Sequence, residues 1–357
     1  MREPIERSSA TLNILLGRII FFSVLFTLSG CSVGYRTSGE FLHGYSERHM
    51  VPYVLSQSDT DMACTMGSSL DNLLLSFQRT GAEMASIGVF SKALAAFCAD
   101  QAAIEQEIIY LRALYHKDHQ IAQDARIAVQ RLKGTAAKRQ YAAYLAANEA
   151  YVYGEKDQCP KFNSDLDELS WLLGLMSGVQ AVVSDMDSGG AADVPRTIAP
   201  AVIRGSFCLD YKKWWGLPLA LRAGLWAMVP ALTPQGSNAW ALLDEAIALG
   251  EPSGIHASSA VYHMVAESQD DKERAKKVIT MVANKAANKA ANKVVNKKPG
   301  GKEYEQYALL EAITRDHLLW GSDRLWVQAT GTRTPTGSFG TFWQAKSADE
   351  NIDDLLN

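Results

Sequence analysis

The chain reads as an all-α protein built of antiparallel helix pairs, and three observations predict it. Apolar residues recur at three- and four-residue steps, as in Leu70, Leu73, Leu74 and Phe77, and again in Leu94, Phe97, Ile104, Ile108, Leu111 and Leu114. Such spacing places them on one face of a 3.6-residue helix. No segment sustains the two-residue alternation of a half-buried strand. Helix starts and stops also stand where helices need them: Asn238 is a good N-cap for a helix from Ala239 to Leu249, and Gly250 follows its last turn.

Taken in order, residues 31–60 are rich in Gly, Ser and Tyr without helical periodicity, and read as a tether. A helical body spans residues 61–328. From Ile121 to about Tyr153 an Ala- and Tyr-dense stretch reads as two helices broken at Gly134, with Gly154 as a stop. Asp165 to Ser184 is a strong helix carrying Gly174 and Gly178, and glycine there, about 1 kcal/mol worse than alanine, signals close helix packing. A helix from about Pro195 to Leu209 leads to an aromatic corner at Tyr211, Trp214, Trp215 and Gly216. An apolar helix then runs to Met228 and is closed by Pro230 and Pro234. Further helices are expected from Pro252 to Gln269, from Asp270, and from Tyr304 to Trp326.

Between Val282 and Lys297 the unit Val-Ala-Asn-Lys is copied four times with small variations, so residues 282–301 read as a low-complexity lysine and asparagine insertion. Period four on a helix drifts by about 40° per copy, which winds the lysines into a slow basic stripe suited to a solvated extension. The tail, residues 329–357, mixes Thr, Gly, Ser and Pro and is expected to be mobile.

With 47% hydrophobic and 21% charged residues the chain is globular in composition, and its net charge of −4 gives no footprint for nucleic acid. At the amino end Arg2, Arg7 and Arg18 flank an apolar run, Ile19 to Leu28, too short to span a bilayer, followed by Leu28, Ser29, Gly30 and Cys31. These four positions resemble the lipobox of bacterial lipoproteins. The resemblance implies that residues 1–30 are a cleaved signal peptide and that Cys31 carries the lipid anchoring the protein to the envelope membrane, facing the periplasm. Ser32, where an aspartate would favour the inner membrane, points to the outer one.

Cys64, Cys98, Cys159 and Cys208 remain in the body. An oxidising periplasm allows two disulfides, with three possible connectivities. Cys159, beside Pro160 in a loop, is expected to pair with Cys208; buried free thiols, Cys98 above all, are the alternative.

Several features between Leu209 and Ile279 are similar to one family: Leu209-Asp210-Tyr211, Gly216 after Trp214 and Trp215, Pro230, and the helix pair Trp240–Leu249 and Ile255–Ala266 closed by Asp270 and Asp271. Trp171 to Gly174 adds a further matching helix. They resemble the T component of tripartite ATP-independent periplasmic (TRAP) transporters, called TatT, with its tetratricopeptide-like helices. The resemblance implies an accessory component that pairs with the periplasmic substrate-binding protein of a transporter for organic acids or other small, partly hydrophobic solutes, relays such a solute, and forms oligomers. It implies no catalytic role and no cofactor. The alternative is an outer-membrane tetratricopeptide-like scaffold lipoprotein that assembles envelope proteins, which would need a groove and no deep cavity.

For recognition the candidates are Tyr211, Trp214, Trp215 and Trp171, since aromatics supply contact area at low entropy cost, with Lys212 and Lys213 beside them to draw a carboxylate. The competing role for this corner is to plug the junction of two helix pairs. His256 and His263, two turns apart, either line a groove or pack helices. His116 and His119 share a helix face but lack a third metal ligand, so a polar turn is expected and no metal. There is no nucleophile elbow, phosphate loop or dinucleotide fingerprint, and the chain is read as a non-enzyme.

Overall fold

A computed structural model describes residues 33–152, 158–293 and 301–343, without side chains for 286–293. Cys31, Gly154 and the last copy of the Asn-Lys repeat lie outside the described residues. Among the described residues there is no strand: helices pack on helices throughout.

The first helical stretch corrects the expected tether. Helix α1 (33–45) passes through one π turn, Ser46–Met50, into α2 (Val51–Leu55). Val51, Val54 and Leu55 are buried, and Gly39 packs so closely on residues 77–82 that an added Cβ would be 2.5 Å from the Ala82 Cβ. Its outward face carries Tyr35, Phe41, Tyr45 and Tyr53, all exposed, and these aromatics blur the narrow buried stripe in sequence.

Helix α3 (Thr60–Gln78) starts at Asp59, whose carboxylate accepts from the Met62 N–H at 2.9 Å. Helices α4 (Ala85–Tyr115) and α5 (His119–Ala150) form a long antiparallel hairpin. His116 and His119 stand at its tip, where Lys117 is left-handed at φ 61° and Asp118 caps α5, so this is the polar turn expected. Gly134 does not break α5; the helix runs unbroken, with Gly134 against Ala191 in the loop that follows residue 187.

Helix α6 (Asp165–Asp187) packs on α5 by the close approach that its glycines predicted. A methyl at Gly174 would overlap the Ala147 Cβ, and one at Gly178 would stand 2.7 Å from the Tyr144 ring. Small residues on both helices let the backbones approach. Helices α4 and α6 are long and apolar enough to cross a membrane by length and composition, but two-thirds of each apolar stretch is buried inside the protein, as befits core helices.

After α7 (Ile198–Ser206) the chain turns sharply at Trp214 and Trp215 into α8 (Leu217–Met228), the most enclosed helix of the fold. The turn needs left-handed backbone at Trp215 (φ 52°) and Gly216 (φ 76°). At Gly216 a side chain would also collide with the Ala246 carbonyl. Helices α9 (Ala239–Gly250) and α10 (Ala257–Ser268) are the pair predicted as tetratricopeptide-like, joined by the Trp240–Tyr262 ring contact at 5.0 Å. Asn238 caps α9 as read, accepting from the Ala241 N–H at 3.1 Å. Helix α11 (Lys272–Lys293) extends into the repeat, α12 (Gly301–Gln306) is short, and α13 (Ala308–Thr330) returns against α4, α10 and α2.

The expected mobile tail is corrected up to residue 343. Thr280 donates to the Gly340 carbonyl at 2.8 Å, and Trp343 lies against Trp326 with the Lys276 ammonium 5.2 Å from its ring. Two disulfides staple the body, Cys64–Cys98 between α3 and α4 and Cys159–Cys208 across the α6–α7 region.

Candidate functional site

A cavity of about 1200 Å³ lies where α2, α3, α4 and α6 face α8, α10 and α13. Its wall is mostly aliphatic, with Leu70, Leu94, Val183, Leu225, Val261 and Ile313 among the contributors. Six of the chain's ten methionines line it: Met50, Met66, Met176, Met186, Met228 and Met264. Methionine is unbranched and polarisable, so it moulds to ligands of varied shape. An apolar void of this size left empty would lose roughly 30 kcal/mol at ~24 cal/mol per Å³, against a typical stability of about 5–15 kcal/mol. The space is therefore an accessible chamber and not a packing fault.

The chamber has a polar end. Arg324 on α13 reaches Glu107 on α4 at 3.0 Å and Glu267 at the end of α10 at 3.2 Å. Lys133 on α5 pairs with Asp100 on α4 at 3.0 Å, and Gln140 donates its amide to the same carboxylate at 2.6 Å. Asp187, at the end of α6, belongs to the same group and makes no ion pair with another described residue. Arg324 and Glu267 keep 20% and 33% of their side chains accessible, and both line the chamber.

These charges set one another's protonation. Burial opposes the charge on Lys133, but Asp100 outweighs it and the ammonium is held more firmly than usual. Burial likewise opposes Glu267, and Arg324 outweighs it, so this carboxylate stays ionised below the usual range. Asp187 is open to solvent, yet the partial loss of its hydration outweighs Lys133 and pushes the carboxyl up. Burial also lowers both histidines of the wall, His263 and, to about 4, His317, so both are neutral at pH 7. His317 leans edge-on against Trp320 at 4.9 Å, and Trp320 stacks on Phe97 at 5.3 Å, forming an aromatic rim beside the charges.

The aromatic residues expected to recognise a ligand lie elsewhere. Trp214 and Trp215 are 1% and 2% exposed and plug the junction of helix pairs; their indoles donate to Glu168 and Glu303, each at 2.7 Å. Trp171 is buried and donates to the Gly205 carbonyl at 3.1 Å, while Tyr211 lies under the Arg222 guanidinium. None of the four touches the chamber. Lys213 does not await a carboxylate ligand, since Asp165 and Glu168 already hold it at 2.7 and 2.9 Å. His256, just before α10, and His263 within it both pack against α13, His256 by a buried 2.9 Å contact with Glu311 and His263 against Gly321; of the pair only His263 also lines the chamber. No cluster of three or more metal-ligating side chains occurs among the described residues.

No motif marks the polar end, yet the sequence carries a signal for it. Asp100 and Glu107 fall in step with Phe97 and Ile104 on the apolar stripe of α4, and His317 and Arg324 fall in step with Ile313 and Trp320 on α13. Charges on a buried stripe mark either a structural ion network or a site. The chain matches no protein-family model, no curated protein and no solved structure at a significant level.

Proposed function

We propose that this protein is a lipid-anchored, non-enzymatic helical protein of the bacterial envelope that holds a small, largely apolar solute in its chamber and relays it to a partner. The observation that carries the reading is the methionine-rich chamber of about 1200 Å³, at or above the roughly 300–1000 Å³ of small-molecule pockets. A scaffold that only assembles other proteins requires no such interior. The wider setting rests on the resemblance of Leu209 to Ile279 to TatT and on the lipobox at Cys31: the partner is the substrate-binding protein of a TRAP-type transporter.

Methyl-labelled methionine gives a residue-level test. Titration with the apolar probe N-phenyl-1-naphthylamine should move the methyl resonances of Met50, Met66, Met176, Met186, Met228 and Met264, and leave Met62, on the outer surface, and Met84, buried away from the wall, in place. No saturable binding, or shifts confined to Met62, would end the solute-binding reading. Crosslinking in native membranes tests the transport setting separately, and recovery of assembly factors without any solute receptor would favour the scaffold.

A further inference from the structure

The solute-binding reading leaves the chemistry of the solute open, and the polar end of the chamber narrows it. Four carboxylates there, Asp100, Glu107, Asp187 and Glu267, face two cations on the wall, Lys133 and Arg324, and Arg126 of α5 also acts on Asp187 from outside the wall, so negative charge still exceeds positive by one. Both cations are taken: Lys133 lies on Asp100, and Arg324 is divided between Glu107 and Glu267. Asp187 has no ion-pair partner among the described residues. Of the other charged groups on the wall, Lys272 faces Asp270 at 3.8 Å, Asp271 is held by Arg274, and Arg196 is exposed on the loop before α7.

A second observation is independent of the charge count. Gln140 is 1% exposed, lines the same end, and spends its amide N–H on Asp100, leaving its Oε1 without a hydrogen-bond partner. A buried acceptor left unpaired is unfavourable by about 1–3 kcal/mol, so it points to a donor that arrives with a ligand. Spare negative charge, a spare acceptor and an aromatic rim of Phe97 and Trp320 all ask for one kind of group. It is a cation that carries N–H donors and tolerates the face of a ring.

Resting on the solute-binding reading, we infer that the chamber takes an amphipathic cation: an apolar chain along the aliphatic and methionine wall, with a primary ammonium head among Asp187, Gln140 and the neighbouring carboxylates. A carboxylate head would meet excess negative charge and unpaired acceptors. A hydroxyl head would leave the charge unbalanced.

Three chains of equal length separate these outcomes. Dodecylamine, dodecan-1-ol and dodecanoate, each below its micellar concentration at pH 7.5, are titrated by displacement of N-phenyl-1-naphthylamine from the full chain. The amine should bind at least ~10-fold tighter than the alcohol, and the carboxylate weaker than both, as the excess of carboxylates around the head group would dictate. Asp187→Asn, at an exposed position whose loss spares the core, should shrink the amine-to-alcohol ratio several-fold, and Gln140→Leu should shrink it too. Equal binding of all three chains, tighter binding of dodecanoate, or a ratio untouched by Asp187→Asn overturns the head-group assignment while leaving the chamber a solute site. Failure of every chain to displace the probe overturns the solute-binding reading itself.

Discussion

The imidazole of His263 lies directly on the backbone of Gly321, so that a methyl group at Gly321 would overlap the ring at Cε1 and Nε2. This contact brings α10 and α13 together at the polar end of the chamber, with His263 only 3% exposed. Gly321→Ala should therefore destabilise the protein by about 1–3 kcal/mol through overpacking, well beyond what alanine gains in helix propensity. Urea denaturation of Gly321→Ala, His263→Ala and the double variant checks it: the double should recover part of the loss. Additive losses would show that the two residues do not press on each other.

The helical body was legible because most of its helices bury a stripe several residues wide, and the three- and four-residue step survives in the sequence. Residues 33–55 escaped because Tyr35, Phe41, Tyr45 and Tyr53 are apolar on the solvent side and erase the contrast. Gly134 was read as a break although one glycine weakens a long helix by only about 1 kcal/mol, which the packing of α5 on α4 and α6 offsets. The chamber was illegible for another reason. Its polar end joins Glu107 to Arg324 and Asp100 to Lys133, and which stripes converge is decided by tertiary packing that no local window contains. An aromatic corner such as Trp214 and Trp215 looks the same in sequence whether it faces a ligand or a core.

That corner now has a definite expectation. Trp214→Ala or Trp215→Ala should lower stability by about 3–5 kcal/mol, the usual loss for truncating a buried indole. Affinity of the folded fraction for N-phenyl-1-naphthylamine should stay the same, because neither residue touches the chamber. Reduced affinity at unchanged stability would return both residues to a binding role.

His317 gives the fold an acid limit. Burial lowers its pKa to about 4, with Lys133, Arg324 and His263 acting in the same direction and Asp100 opposing, against about 6.5 when unfolded. Well above pH 6.5, from about pH 7.5, the ring is neutral in both states. As pH falls from 6.5 towards 4 the unfolded chain takes up a proton that the folded one refuses, and stability drops by roughly 3 kcal/mol at most. Denaturation midpoints between pH 7.5 and 4 should trace this decline, and His317→Gln should flatten it. An equal slope in the variant would place the sensitivity in other groups.

Each disulfide should contribute about 4 kcal/mol by loop-closure entropy, with sequence separations of 34 for Cys64–Cys98 and 49 for Cys159–Cys208. Thiol counting on the denatured, unreduced body should find none of the four free. Replacing either pair by serines should lower the denaturation midpoint accordingly, and a midpoint that does not move would mean the pair is reduced in the native protein.

The bridges join first to second and third to fourth among the cysteines of the body, so neither loop encloses or crosses the other. A polypeptide threaded through a translocation pore amino end first presents Cys64 and Cys98 before Cys159 emerges. Each correct mate arrives ahead of its rivals. Cys31 is the one earlier competitor, and a thioether on its sulfur would remove it from exchange. If the chain is exported as the lipobox implies, oxidation in order of emergence would deliver this pairing with an oxidase alone, with no isomerase required to reshuffle it.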